Sequence, residues 1–270
     1  IVMAVQTAAT TPGVILAMLE MDKQEMPFDL SSMMEIFNEK YAIGCYIAYC
    51  MICLAVFIPW YYKQFVKKNP DVAYKKALGI KPVILAVSVL VSFYFVISGV
   101  LVIADKVIPS VMENYYELMR VSSLGTNMLI TVIYGYLLAP VTEELCFRGL
   151  MFGMLERSNI HYMLILFIQG LMFGIMHMNL VQGVYAFLLG VVLGYLRYKY
   201  KTVILTIGAH IIFNFFGMSV ELFMENRGIT ATQKLILAAI GMVLAVVLIA
   251  VVAKDKSSYL KGSERTPANA

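Results

Sequence analysis

Long apolar runs separated by short polar stretches dominate the chain, and the runs are of membrane length. A bilayer core about 30 Å thick needs about 20 consecutive apolar residues per helix. By that measure the pattern predicts helices at Ala42–Tyr62, Pro82–Ala104, Asn127–Leu155, His161–His177, Leu180–Leu196, Thr202–Phe223 and Leu235–Ala253. A weaker run, Ile1–Leu19, carries several threonines and a glutamine. The expected fold is therefore all-α, a polytopic membrane bundle of about eight transmembrane helices. No repeat of fixed period and no soluble insert interrupts it, so residues 1–256 read as one membrane domain and 257–270 as a disordered cytoplasmic tail.

Composition agrees: 61% of the 270 residues are hydrophobic and 14% charged, far from the usual balance of a soluble domain. The net charge of +4 matters less than where the cations sit, and nothing in it suggests nucleic acid. Six lysines fall between Tyr62 and Lys81, and three more basic residues in "RYKYK" at Arg197–Lys201. Cytoplasmic loops carry an excess of such residues, so both are assigned to the cytoplasm. Alternation then puts Met21–Lys40 and Asp105–Gly125 outside and both termini inside. The four cysteines (Cys45, Cys50, Cys53, Cys146) lie within apolar runs and read as small buried hydrophobes rather than a disulfide framework. The spacings "GLMFG" (Gly170, Gly174) and "GVVLG" (Gly190, Gly194) are small-xxx-small faces that let helices approach closely.

Ionisable groups inside a membrane are costly and mark candidate sites. Here they are few: Glu143, Glu144 and Arg148 in "PVTEELCFRG", His177 in "FGIMH", and His210 with Asn214 in "HIIFN". Glu144 and Arg148 are four residues apart, on one helix face and in the order that favours an ion pair, while Glu143 points about 100° away. That makes Glu144 structural and leaves Glu143 for chemistry. Phe173 precedes His177 by one turn, and His210 precedes Asn214 by one turn. His161 falls at an interface and is expected to be solvated. At 1.5 Å per residue, Glu143 lies about 20 Å deep, His177 about 24 Å, His210 about 12 Å and Asn214 about 18 Å. These depths converge only if the helix bearing Glu143 continues well past Arg148.

Glu-Glu-x-x-x-Arg, then Phe-x-x-x-His, then His-x-x-x-Asn, on three successive motif helices, resembles the CPBP family of intramembrane proteases. That family comprises type II CAAX prenyl endopeptidases and bacteriocin-processing or self-immunity proteins, also called the ABI family. The resemblance covers a motif core of about 127–216 and rests on Glu143, Glu144, Arg148, Phe173, His177, His210 and Asn214. It implies an endopeptidase whose site opens toward the cytoplasm or the lipid. Glu143 would activate water with His177 assisting as base, His210 and Asn214 would stabilise the oxyanion, and Glu144 and Arg148 would support the site. The partners implied are a peptide or lipidated-protein substrate and membrane lipid, in what reads as a prokaryotic plasma membrane. A zinc held by Glu143, His177 and His210 and a metal-free glutamate mechanism make equal chemical sense, since H-E-x-x-H is absent. The residues alone also admit an ion- or proton-coupled transporter and a non-catalytic membrane adaptor. Against a transporter, the ionisable residues gather in one half of the chain, whereas repeat symmetry would spread them over two.

Overall fold

A computed structural model describes residues 2–67, 78–123 and 132–257. Within them every regular element is helical. In chain order these are α1 (Val2–Lys23), α2 (Leu30–Val66), α3 (Ile80–Val107), α4 (Pro109–Ser123), α5 (133–157), α6 (Tyr162–Met176), α7 (Leu180–Tyr200), α8 (Val203–Asn226) and α9 (Ala231–Lys254). Six of them (α1, α2, α3, α7, α8 and α9) are long and apolar enough to cross a membrane, and α6 is a shorter apolar helix. The protein is a polytopic membrane bundle. The weak first run forms a full helix, and the helix bearing Glu143 continues to Arg157, as convergence of the motif residues requires. The beginning of that run (Asn127 to Thr131), three of the six loop lysines (Lys68, Lys75, Lys76) and residues 258–270 of the expected tail lie outside the described residues.

Two expectations change. The segment Met21–Lys40, expected to separate two spans, is largely helix, because α2 begins at Leu30 rather than Ala42. Asp29 accepts the free backbone N–H groups of Ser31 and Ser32, which starts the helix, and Met33, Ile36 and Phe37 bury against Ala17 and Met21 of α1. Likewise Asp105–Gly125 holds α4. Its Pro109 occupies the first helical position, where no N–H is missed, and Met112 and Tyr115, one turn apart, pack on Val181 of α7. The first turns of α2 and the whole of α4 are too polar for an apolar-run criterion, and each is held by one buried face.

The helix ends define two faces of the bundle. At one, Lys201 pairs with Glu156 at 2.6 Å and Lys81 with Asp255 at 2.8 Å, and Arg157 lies over Phe65 at 4.2 Å. This basic end gathers the last turns of α2, α5, α7 and α9 and the first of α3. At the opposite, acidic end, Lys40 pairs with Glu20, and Tyr116 donates to Asp105. Arg197, expected with the basic flank of α7, is instead 6% exposed inside the bundle.

The α6–α7 hairpin is the tightest contact near the site. An added Cβ on Gly190 would stand 2.9 Å from the Gly170 Cα, and one on Gly174 2.5 Å from the Gly183 carbonyl oxygen. The small-residue faces read from the sequence meet each other.

Candidate active site

Helix α5 departs from regular α geometry twice, and each departure serves the site. Residues Ile133–Leu138 and Leu145–Met151 form wider π-helical turns, a feature found often at functional sites. In the first, the Ala139 N–H reaches back five residues to the Tyr134 carbonyl. The next residue, Pro140, has no N–H to give, so the Gly135 carbonyl is left without a helical partner. Asn214 of α8 supplies one, with Nδ2 3.2 Å from that oxygen. In the second, the Phe152 N–H reaches back to Phe147, which leaves the Arg148 carbonyl free. Arg197 of α7 donates to it through Nε at 3.2 Å. Each freed carbonyl thus fastens another helix to α5.

Glu144 and Arg148 are both wholly buried and joined at 2.8 Å. The guanidinium also donates to the Gly190 carbonyl at 3.2 Å and lies over the Phe173 ring at 4.5 Å. Gln169, likewise wholly buried, donates to the same carbonyl at 2.7 Å. The second partner of Glu144 is His210, whose Nδ1 stands 3.0 Å from Oε1. A carboxylate paired with arginine only accepts, so Nδ1 carries the hydrogen and Nε2 faces onward. Nε2 is 3.9 Å from Glu143 Oε2.

His177 stands at the end of its helix, α6, with its backbone N–H turned to Gly174. Its Nδ1 takes the Phe173 carbonyl at 2.8 Å, so here too Nε2 is the free nitrogen. Phe173 is 1% exposed and meets the His177 ring edge-on at 4.9 Å and the His210 ring at 6.0 Å. His161 begins α6 at the exposed surface, as expected.

A cavity of about 530 Å³ brings the motif residues together: Glu143, His177, His210 and Asn214 all line it. Glu144 and Arg148 do not; they stand behind it. Glu144 is thus held in the pair with Arg148, and Glu143 lines the cavity. Sequence reasoning missed three participants: Arg197, Gln169 and the tie from Glu144 to His210. Gln169 carried a legible signal as a lone carboxamide one turn before Phe173. Arg197 did not, because its place in "RYKYK" resembles a solvated flank.

Residues 125–216 match the family model described as "Type II CAAX prenyl endopeptidase Rce1-like". This segment is an Rce1-like domain. It covers about a third of the chain and contains every motif residue named above, and the family it matches is one of peptidases. Neither a curated protein nor a solved structure was found to match the chain.

Among the described residues, no group of three His, Cys, Asp or Glu side chains converges as a metal site requires. Glu143, His177 and His210 share the cavity without forming such a group.

Proposed function

We propose that the protein is an intramembrane endopeptidase in which Glu143 activates the attacking water. The observation that carries this reading is the shared cavity: one carboxylate whose side chain is 21% exposed, two imidazoles with their Nε2 atoms unspent, and one carboxamide, enclosed in an apolar bundle. Glu143 takes a proton from water as the oxygen attacks the substrate carbonyl carbon. The same proton then goes to the departing amine as the C–N bond breaks. His177, with Nδ1 held by a carbonyl, offers Nε2 as an assisting base. His210, gripped by Glu144 and directed toward Glu143, stabilises the oxyanion from Nε2 when that atom carries a proton, together with Asn214. Arg148 neutralises Glu144 and so keeps the grip on His210.

We further propose that residues 1–256 act as one domain and that the basic end faces the cytoplasm, with both termini there. Lys63, Lys67, Lys199, Lys254 and Lys256 at that end support this orientation. The substrate is a peptide bond at or within the membrane, in a CAAX-type or leader-type segment. The test is hydrolysis by the purified protein in proteoliposomes. Glu143→Gln should abolish cleavage with the thermal midpoint unchanged, whereas retained cleavage would remove Glu143 from the mechanism.

A further inference from the structure

The first half of α1 carries four polar side chains, and three of them are satisfied within the helix. Thr7 donates to the Met3 carbonyl at 3.0 Å, Thr10 to that of Gln6 at 3.0 Å and Thr11 to that of Thr7 at 2.7 Å. Gln6 is different: among the described residues no hydrogen bond reaches its carboxamide. Nor does it lie on a solvated face. Val2, Val5 and Ala9 pack into the cluster that Tyr49, Cys53 and Phe57 of α2 form with Leu145 and Leu150 of α5. Gly13 is so close to α2 that an added Cβ would stand 2.6 Å from Cys45 Sγ. Positions 2, 5, 6, 9 and 13 make one stripe of a helix, so Gln6 occupies a place that an apolar residue would fill. There it forms part of the wall of the cavity that holds Glu143 and His177.

A peptide drawn into such a cavity brings an N–H and a C=O with nearly every residue, and leaving them unpaired among apolar groups is costly. Many peptide-binding proteins meet them with the edge of a strand. Here every regular element among the described residues is helical, with its main-chain groups engaged along the helix, so side chains must supply the partners. A carboxamide suits this, because it donates and accepts at once. Three line the cavity: Asn214, already tied to the Gly135 carbonyl, and Gln6 and Gln182. From its place on the packed stripe of α1 we infer that Gln6 is a substrate-binding residue, its carboxamide accepting an N–H and donating to a C=O of the peptide main chain beside the scissile bond. This rests on the peptidase reading. It makes α1 part of the active site although that helix lies outside the matched segment, residues 125–216. Gln6 takes no part in the bond-breaking step, so its loss weakens substrate binding and leaves the chemistry intact.

The test uses the full chain in proteoliposomes and a quenched fluorescent peptide ending in a prenylated CAAX sequence. Gln6→Leu, which continues the apolar stripe, should raise KM about five- to ten-fold, as loss of one net hydrogen bond does. Its kcat should stay within about two-fold of the parent, and its thermal midpoint should be unchanged or higher. Thr7→Val, on the exposed side of α1, should alter none of these. In a second series, one main-chain amide at a time is replaced by an ester, which removes an N–H and weakens the adjoining carbonyl as an acceptor. At one position near the scissile bond the ester should raise KM about five-fold for the parent and less than about two-fold for Gln6→Leu, the signature of a shared contact. Binding of the uncleaved peptide to Glu143→Gln, with and without Gln6→Leu, reads the same contact by fluorescence anisotropy without turnover. Unchanged KM and Kd in Gln6→Leu, or ester effects equal in both proteins, would overturn the inference. So would the same losses in Gln182→Leu and none in Gln6→Leu, which would move the role to α7. Cleavage that survives Glu143→Gln would overturn the peptidase reading instead, and the binding measurement would still decide whether Gln6 holds a peptide.

Discussion

At the scale of single residues, adjacent glutamates have opposite fates. Glu144 is wholly buried between Arg148 and His210, so Glu144→Ala strands a buried guanidinium, a defect of about 3–5 kcal/mol in comparable pairs. Glu143 faces the cavity, and Glu143→Ala should cost little stability; differential scanning fluorimetry of the two purified variants should show a much lower midpoint for Glu144→Ala alone. His177→Ala and His210→Ala should each abolish turnover without altering membrane insertion, as judged by extraction resistance and cleavage assays side by side. The different placement of the two glutamates was readable from a 100° difference in helical phase. What was not readable is that Glu144 serves two partners, because the second comes from α8, 66 residues away, and spacing arguments stop at the edge of a helix.

Among the elements, α5 and the α6–α7 hairpin carry the most testable geometry. If Pro140 frees the Gly135 carbonyl for Asn214, then Pro140→Ala restores a helical N–H and Asn214→Ala becomes less damaging in that background. A double-mutant cycle on stability should show a coupling of about 0.5–3 kcal/mol, and strict additivity would contradict the account. In the hairpin, Gly174→Ala drives a methyl onto the Gly183 carbonyl and should destabilise by about 1–3 kcal/mol. Gly208→Ala on α8 meets nothing within 4 Å and should be neutral or stabilise by about 0.5–1 kcal/mol. Glycine spacing announced the hairpin in the sequence. The wide turns of α5 had no such sign beyond Pro140, since an extra residue per turn leaves the apolar pattern of a buried helix unchanged. Nor did apolar runs reveal α4 and the first turns of α2, whose stability comes from a single docked face.

For the whole molecule, the basic end is latched by Asp255. Burial would raise the carboxyl's pKa, but hydrogen bonds from Lys81, Ser257 and Tyr200 outweigh it and hold the group below its ordinary 3.8. A depressed folded-state value means the latch contributes fully above 3.8 and is lost as pH falls through the lower folded value. Thermal midpoints measured from pH 5 downward should therefore fall less steeply for Asp255→Asn than for the parent protein. The overall bundle was largely legible from composition and run length, whereas the cavity was not, because its walls come from helices far apart in the chain. The central claim, that Glu143 activates water in that cavity, is tested most directly by the rate of peptide hydrolysis in proteoliposomes for the parent protein and Glu143→Gln. The account predicts a fall of about a hundred- to ten-thousand-fold with an unchanged thermal midpoint, and a rate within a few-fold of the parent would contradict it.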